Sequence, residues 1–499
     1  MLLRGVVGSV LVLVGGLITT PLPRSVGRPL FGPLVDIGHS MPGRMLGLAV
    51  TVSGLGLLAW AWIELVRLMT RTAGARSARP LRQVWTATLA WGLPLLIAPP
   101  LFSRDGWSYA AQGAMTLRGH SPYDFGPMVL SGPIVDRVDP RWLDTPAPYG
   151  PLPLLWGALS AGVTEDPWLL VIAHRLAAVV GLALLAWALP RLAGWTRHDP
   201  AVVCAVVLPS PLIFAHGVGG LHNDLLVVGL AAAALVVANS HGWVAGAALG
   251  GLSAAVKLPG GLICIAVALV TLPTAASLYD RLVRLTGVAV VSVVTLVGVG
   301  RIAGVGSGWV HTLGVPAEIR TPLSLSTQVG RLLEAGFRLL ELRTLFEASM
   351  PFARGLGTVL AIGVAIWVAL RAKTGEPGAA VQAAATALTA TFLLSPVVHI
   401  WYALWFVPFL AAVPLGSRVF NALLNFSLIA GLTAPLDSSL EGVWVAIGLT
   451  GALVIGVAVP LLVSTRGISL PQPVRHRVAV RPVRPLRLTR PEPELRAEV

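Results

Sequence analysis

The sequence predicts an all-α polytopic membrane protein, and two observations carry that prediction. Of its 499 residues, 55% are hydrophobic and only 12% are charged, with a mean hydropathy of +0.79, a composition far from that of soluble domains. Apolar runs that are long enough, or nearly long enough, to cross a bilayer recur along the chain. Helices are the only open-chain structures that satisfy their own backbone in hydrocarbon, so the expected fold is a bundle of membrane-spanning helices.

The apolar runs predict about fourteen spans. They lie near residues 5–20, 46–68, 84–102, 168–190, 200–217, 225–240, 243–257, 259–273, 287–303, 356–372, 379–398, 403–416, 420–435 and 443–463. A further apolar stretch at 150–164 is interpreted as a re-entrant or surface helix. Counting it as a crossing would move the later basic loops to the other side of the membrane.

Arginine sets the orientation, because basic residues near span ends are retained in the cytoplasm. Five arginines between residues 67 and 82 place that connection inside, so the span at 84–102 runs outward. Two long outer loops are then expected, at about 103–167 and 304–355. The first span has no small-x-small cleavage site after it, so we expect it to be uncleaved.

The chain is expected to divide into a transmembrane domain, 1–464, and a tail, 465–499. The tail carries eight arginines, three glutamates, six prolines and no aromatic residue, which is typical of a disordered cytoplasmic segment beside anionic lipid headgroups. The net charge of +14 would suggest nucleic acid in a soluble protein. The tail lacks the aromatic rings on which bases stack, so we expect membrane lipids and no nucleic acid as partners.

Ionisable residues near the span ends separate by side. Glu64 and Arg67 lie at a predicted cytoplasmic end. The residues predicted at or near the outer ends are His174, Arg175, His216, His222, Asp224, Lys257 and His399. A transporter should carry polar or broken-helix sites near the bilayer midplane. A site built at one face from span ends and two long loops is more typical of an enzyme that acts at the outer surface.

The segment 103–149 combines charge with aromatic rings. It contains Asp105, Asp124, Asp136, Asp139 and Asp144, with Arg104, Arg118, Arg137 and Arg141 and with Trp107, Tyr109, Tyr123, Phe125, Trp142 and Tyr149. Rings and carboxylates together suit a sugar, but an interfacial aromatic belt with solvated charges has the same composition. The spacing of the later aspartates is not diagnostic of a divalent-ion site, so neither a metal nor a cofactor is predicted.

Asp105 is the candidate catalytic residue. It lies three residues beyond the apolar run and next to Arg104, where partial burial can hold a carboxylate beside a reacting hydroxyl as a general base. The alternative is an aspartate that caps a helix beginning near Trp107.

Two more stretches contribute candidates. In GVGGLHNDLL, 217–226, His222 and Asp224 either belong to the site or cap the next span. In AAVKLPGG, 254–261, Lys257 is one of only two lysines in the chain and either binds a lipid phosphate or snorkels to the interface. Arg320 and residues 399–402 are expected to complete an outer rim.

Eight motifs occur in a distinctive order: PLFSRDGWSYAAQG, GHSPYDFGP, DTPAPYGPL, HRLAAVVGLALLAWALPRLA, GGLHNDLL, VKLPG, WVHTLG and PVVHIWYALW. Together they resemble the polyprenol-phosphate-mannose-dependent α-(1→6)-mannopyranosyltransferases of actinobacterial lipomannan synthesis, integral-membrane enzymes of the GT-C class. The resemblance covers about residues 95 to 410. VKLPG, WVHTLG and the run after His174 resemble the type that initiates the mannan core. Gly106-Trp107, Asp224 and His399 depart from the usual pattern, which leaves the acceptor preference open.

The resemblance implies a plasma-membrane enzyme with a GT-C-like helix bundle and an active-site loop on the extracytoplasmic side. It would transfer mannose, with inversion, from polyprenyl-phosphate-mannose to a phosphatidylinositol-mannoside or other lipid-anchored mannan acceptor. Asp105 would be the base, Lys257 would neutralise the phosphate with help from Arg320 or Arg175, and a groove between spans would hold the prenyl tail. His222 and Asp224 would bind sugar hydroxyls or order their loop.

The remaining predicted substrate-binding residues are Arg104, Tyr109, Gln112, Tyr123, Asn223, His399, Trp401 and Tyr402. Two alternatives stay open. One is a transporter or flippase of lipid-linked sugars, and the other is a different GT-C transferase, such as an arabinofuranosyltransferase.

Overall fold

The protein is described by a computed structural model over residues 1–20, 22, 28–74, 79–436 and 444–469. These residues form eighteen α-helices and no β-strand, which confirms the all-α prediction. The helices are α1 (Leu2–Thr19), α2 (Arg28–Ile37), α3 (Met41–Arg71), α4 (Arg79–Gly92), α5 (Asp105–Leu117), α6 (Pro151–Ala161), α7 (Pro167–Trp195), α8 (Pro200–Val207), α9 (Asp224–His241), α10 (Trp243–Val256), α11 (Ile263–Val270), α12 (Leu278–Ile302), α13 (Leu325–Leu339), α14 (Arg343–Arg371), α15 (Pro377–Leu394), α16 (Ala403–Ala411), α17 (Ser417–Leu432) and α18 (Trp444–Thr465). Most of the predicted tail, from residue 470 onward, lies outside the described residues.

Eight of the helices in the described part of the chain are long and apolar enough to cross a membrane: α1, α3, α7, α9, α12, α14, α15 and α18. Five further apolar segments are shorter, and α6 is one of them. With 11 residues, α6 is about 16 Å long, which is too short to cross. The chain is therefore a polytopic membrane protein, and its total of about fourteen crossings stays a prediction.

Two predicted spans are not continuous helices. In 84–102, α4 ends at Gly92 and a 3₁₀ turn, Leu93–Ile97, follows. In 200–217, α8 ends at Val207 and a π-helix, Ile213–Gly219, begins six residues later. Proline causes both breaks, because it lacks an N–H and clashes with the preceding turn: Pro94, Pro99 and Pro100 in the first, Pro209 and Pro211 in the second. Both breaks leave irregular backbone where the candidate site forms.

The centre of the bundle is formed by α7, α8, α9 and α16, whose side chains belong to the largest buried apolar cluster. A glycine pair brings α7 and α9 into backbone contact: a Cβ on Gly229 would lie 2.2 Å from the carbonyl oxygen of Gly181. Small residues permit such close helix crossings in membranes. This crossing fixes α9, and with it Asp224 at its first position, against α7.

The predicted cytoplasmic connections meet at one end of the bundle. The N–H of Gly74 donates to Asp199, and Thr374 donates to the carbonyl of Pro273, both at 2.8 Å. The candidate site lies at the other end, where Arg175 of α7 reaches the turn at Val218. Twenty residues of α7, about 30 Å, separate Arg175 from Trp195, so the two groups lie about a hydrocarbon thickness apart.

Candidate active site

A cavity opens between the segment that follows α4, the end of α10 and the segment before α16. Seven predicted site residues line it: Arg104, Asp105, Gln112, Lys257, His399, Trp401 and Tyr402. Other lining residues include Ser103, Asp139, Arg141, Trp142 and Tyr149. Residues that are far apart in the sequence thus surround one space with acidic, basic and aromatic side chains.

Asp105 is the first residue of α5, and its side chain is 14% exposed. The chain turns into the site through Phe102, whose φ is +63°, and the N–H of Asp105 donates to Ser103 Oγ at 3.1 Å. Tyr109 Oη donates to Asp105 Oδ2 at 3.4 Å. Among the described residues no backbone N–H donates to this carboxylate, so the capping alternative is not what the geometry shows.

Burial is the main cause that raises the pKa of Asp105, to about 6. The nearby carboxylate of Asp224 raises it further, while the charge of Lys257 opposes the shift. A carboxylate with a raised pKa binds a proton more readily than a solvated one and is still mostly ionised at neutral pH. Asp105 therefore has the properties of a general base.

The turn between the π-helix and α9 brings His222 behind Asp105. Leu221 has φ +62°, and the ring of His222 stacks on Trp401 with 3.9 Å between centroids and 13° between planes. His222 Nε2 lies 3.9 Å from Asp105 Oδ2. The ring is fully buried and does not line the cavity, so contact with sugar hydroxyls, one of its two expected roles, is absent from this arrangement.

Asp224 and Lys257 form a buried ion pair. Lys257 Nζ donates to both carboxylate oxygens of Asp224, at 3.1 and 3.4 Å, and Trp405 Nε1 donates to one of them at 2.6 Å. Lys257 also lies over the ring of Tyr402, 4.1 Å from its centroid. The lysine is thus held by an ion pair and an aromatic ring at the cavity wall, which argues against a snorkelling side chain with no specific partner.

Asp139 and Arg141 were counted in the sequence only as charges, yet both line the cavity. Two nitrogens of Arg141 bond the two oxygens of Asp139, at 3.0 and 2.8 Å. Although burial opposes it, hydrogen bonding from Arg141 holds the pKa of Asp139 below its usual value. Their spacing, i and i+2 around Pro140, matches a capped 3₁₀ turn, which is a local signal for a turn but none for a substrate site.

Arg104 also lines the cavity, and its buried Nε has no hydrogen-bond partner in the part of the chain that is described.

Arg175 does not reach the cavity, although sequence reasoning offered it as a phosphate ligand. It is 1% exposed, and within the described part of the chain its guanidinium donates to backbone carbonyls alone. These are Leu96, Ala98 and Pro99 on one side and Val218 and Gly219 on the other. Arg175 therefore joins the two irregular segments that carry Asp105 and His222.

Three other predicted residues lie outside the cavity wall. Tyr123 packs against Ala147 and Leu154, and Arg320 pairs with Glu334 at 3.1 Å. Asn223 is buried, and its Nδ2 has no hydrogen-bond partner within the described ranges. Tyr109 contacts two residues of the cavity wall. It donates a hydrogen bond to Asp105 and packs edge-on against Tyr149, with 5.2 Å between the ring centroids. No local sequence signal distinguishes Tyr123 from Tyr149, because only the fold decides which ring faces the cavity.

Acidic residues of the segment 103–149 do not gather into an ion site. Asp136 and Asp144 are exposed, whereas Asp139 is bound by Arg141. Among the residues that the structure describes, no three His, Cys, Asp or Glu side chains lie together in a way that could hold a metal ion.

Comparison with known proteins places the chain in a family. Residues 2–275 match the family described as "Alpha-(1->6)-mannopyranosyltransferase, N-terminal domain". The chain belongs to the α-(1→6)-mannopyranosyltransferase family. Residues 326–463 match a second family description, "MptB C-terminal domain". Membership of this family makes the protein a glycosyltransferase.

Relatives in this family cover most of the chain. A probable α-(1→6)-mannopyranosyltransferase of Mycolicibacterium smegmatis is 31% identical over 87% of this chain and 82% of its own length. α-(1→6)-Mannopyranosyltransferase A of Mycobacterium tuberculosis is 30% identical, over 86% and 82%. α-(1→6)-Mannopyranosyltransferase B of Corynebacterium glutamicum is 28% identical, over 87% and 75%. No solved structure matches the chain.

Proposed function

We propose that this protein transfers mannose from polyprenyl-phosphate-mannose to a lipid-anchored mannan acceptor, such as a phosphatidylinositol-mannoside, in α-(1→6) linkage, and that it initiates the core. The observation that carries the proposal is that Asp105 and Lys257 line the same cavity. A base and a cation that share one space match the needs of glycosyl transfer from a phosphate-linked donor. The family's name supports mannose as the sugar.

The transfer is a single displacement. Asp105 accepts the proton of the acceptor 6-hydroxyl while that oxygen bonds the anomeric carbon of mannose. The bond between this carbon and the phosphate oxygen breaks, and its electron pair stays on the prenyl phosphate, which leaves as a monoester. Inverting glycosidases need an acid as well as a base, but a phosphate leaves without protonation, so one base is sufficient.

Cations at the cavity wall stabilise the departing phosphate. Lys257 and Arg104 are the two that we assign to it, because positive groups aimed at developing negative charge lower the barrier. Arg141 stands beside them and is oriented by Asp139. This set replaces Arg175 and Arg320, whose side chains do not line the cavity.

An apolar groove on the protein supports a lipid-borne donor. It runs along α14 from Thr358 to Ala369, with Leu258 and Pro259 on one wall and Pro396 on another. Each wall lies one residue along the chain from a residue that lines the cavity, since Lys257 precedes Leu258 and Val397 follows Pro396. We assign the prenyl chain to this groove and its phosphate to Lys257.

The site faces the outside of the plasma membrane in this proposal. The predicted cytoplasmic connections and the cavity lie at opposite ends of α7, about 30 Å apart, and the arginine-rich end is retained inside. A lipid-borne donor and a lipid-anchored acceptor would then meet at the outer headgroup layer.

Membranes that contain the Asp105→Asn variant test the function. They are incubated with radiolabelled mannosyl-phospho-polyprenol and a phosphatidylinositol-mannoside, and the linkage of the product is determined. We expect α-(1→6)-mannosylated lipid from the wild type and a loss of about 10²- to 10⁴-fold in the variant. The matched control is Asp124→Asn, an exposed aspartate of the same segment, which should retain activity.

Two results would contradict the proposal. Wild-type protein that moves the labelled lipid across the bilayer without forming product would indicate a flippase. Equal transfer rates in the Asp105→Asn variant and in the wild type would exclude Asp105 as the base.

A further inference from the structure

The tautomer of His222 is fixed by its surroundings. Its Nδ1 lies 2.8 Å from the carbonyl oxygen of His216, and because a carbonyl only accepts hydrogen bonds, Nδ1 carries the hydrogen. In a neutral ring Nε2 is then a bare acceptor. This Nε2 is buried and has no hydrogen-bond partner among the described residues, and it lies 3.9 Å from Asp105 Oδ2.

The neighbours of the ring keep it neutral and in place. Trp401 covers one face, and His399 stacks on the far side of Trp401 with 4.5 Å between centroids. The titratable and charged groups around the ring are His216, Lys257, His399, Asp105 and, through Lys257, Asp224. Burial first, and then the neighbouring bases, hold the pKa of His222 well below its usual value, which favours the neutral ring with Nε2 as an acceptor.

An acceptor at this position distinguishes the two states of Asp105. Toward an ionised carboxylate the Nε2 lone pair offers no hydrogen bond, because neither group carries a proton. Once Asp105 has taken a proton, its carboxyl O–H can donate to Nε2, and a short movement closes the 3.9 Å gap. Rotation about the Cβ–Cγ bond, a soft torsion, lets either carboxyl oxygen present the proton.

We propose that His222 is the positioning residue that accepts a hydrogen bond from protonated Asp105 and thereby favours proton transfer from the acceptor hydroxyl. This inference rests on the proposed function, in which Asp105 is the base. The proton moves from the sugar hydroxyl to Asp105 and stays there, while His222 remains neutral. Because the bond exists only after the proton has moved, it lowers the barrier instead of tightening substrate binding.

Two isosteric variants test the role. His222→Asn keeps an amide N–H at the position of Nδ1, so the bond to the His216 carbonyl is retained and only the acceptor that faces Asp105 is lost. His222→Gln instead carries an amide oxygen to the position of Nε2 and retains that acceptor. The readout is kcat against pH with saturating donor and acceptor, together with KM for both substrates.

For His222→Asn we expect kcat to fall about three- to ten-fold, as for one net hydrogen bond, with unchanged KM values. The pH at which kcat falls on the acid side of its profile should be about half to one unit lower in this variant, because loss of the acceptor destabilises the protonated carboxyl of Asp105. In His222→Gln, kcat should fall on the acid side at the same pH as in the wild type. In an Asp105→Asn background, the change at position 222 should have no further effect on kcat.

The proposal is overturned if the acid-side fall in kcat of His222→Asn occurs at the wild-type pH or at a higher pH, or if both variants shift this pH equally. If His222→Asn does not fold, His222→Phe takes its place, since a phenyl ring can still stack on Trp401 and has no acceptor. A wild-type protein that transfers no mannose would contradict the proposed function. If the wild type transfers mannose normally and the acid-side fall in kcat of His222→Asn stays at the wild-type pH, this inference alone is contradicted.

Discussion

Lys257 and Asp224 neutralise one another inside the protein, with Nζ 3.1 and 3.4 Å from the two carboxylate oxygens. The side chains are only 11% and 1% exposed. Breaking a buried pair from one side leaves an uncompensated charge and costs about 3–5 kcal/mol. This pair therefore links the stability of the protein to the cation that we propose for the donor phosphate.

Lys257→Gln should lower both activity and stability. We expect transfer to fall about 10²-fold or more, through loss of charge at the departing phosphate, and the melting temperature of the purified protein to fall as well. The double variant Lys257→Gln/Asp224→Asn should regain stability without activity. Lys373→Gln, at the exposed second lysine, is the control. Full recovery of transfer in the double variant would show that Lys257 acts only structurally.

The pH dependence of transfer should follow Asp105. Because burial raises the pKa of Asp105 to about 6 and a base must be ionised to work, activity should be flat above that pH and should fall about tenfold per unit below it. Initial rates between pH 4.5 and 8 would measure this, with the melting temperature recorded over the same range. A fall in transfer rate that begins only near pH 4, the pKa range of a solvated aspartate, would contradict this prediction.

Arg104 and Arg320 should respond differently to the same change. Arg104→Gln removes a cation from the cavity wall, so we expect transfer to fall about ten- to 10²-fold. Arg320→Gln removes a side chain that is 52% exposed and paired with Glu334, and it should leave the rate within about twofold, as for most exposed ion pairs. Equal losses in the two variants would place Arg320 at the phosphate.

The groove should discriminate donors by chain length. Ala365→Phe puts a ring into the groove, which should raise KM for a long polyprenyl donor about tenfold, while KM for a donor with a single isoprene unit should not change. Val359→Phe is the control, because Val359 lies on α14 outside the groove and is 65% exposed. Equal effects on long and short donors would mean that the chain binds elsewhere.

Arg175 should be essential for folding. Arg175→Met leaves backbone carbonyls of both irregular segments without their donor, at about 1–3 kcal/mol for each unsatisfied buried group. We expect little folded protein, measured as the monodisperse fraction in size-exclusion chromatography. Arg191→Met, an exposed arginine on the same helix, should fold normally. A well-folded but inactive Arg175→Met protein would instead point to a role in catalysis.

Sequence reasoning identified Asp105, Lys257 and the 399–402 stretch because polar residues that interrupt apolar runs are visible without a fold. It offered Arg175, as an alternative to Arg320, as a helper of Lys257 at the phosphate. Composition shows that an arginine is costly in a membrane, but it cannot show that backbone carbonyls satisfy it. The carbonyls of Pro99 and Val218 are available to Arg175 because the backbone there is irregular. Burial of His222 behind Asp105 likewise depends on the turn at Leu221, where φ is +62°. The sequence of side chains does not predict a positive φ at a leucine.

Arg175 binds the turn at Pro99 and the turn at Val218 together, so the proposed base Asp105 and the imidazole of His222 behind it are carried by two segments that are fixed to one another. A change of acceptor in the evolution of this scaffold could hardly proceed by shifting either one. The opposite wall, from Trp142 to Tyr149, carries no such restraint from Arg175 and is free to diverge, so new sugar preferences should arise there while the chemistry is inherited unchanged.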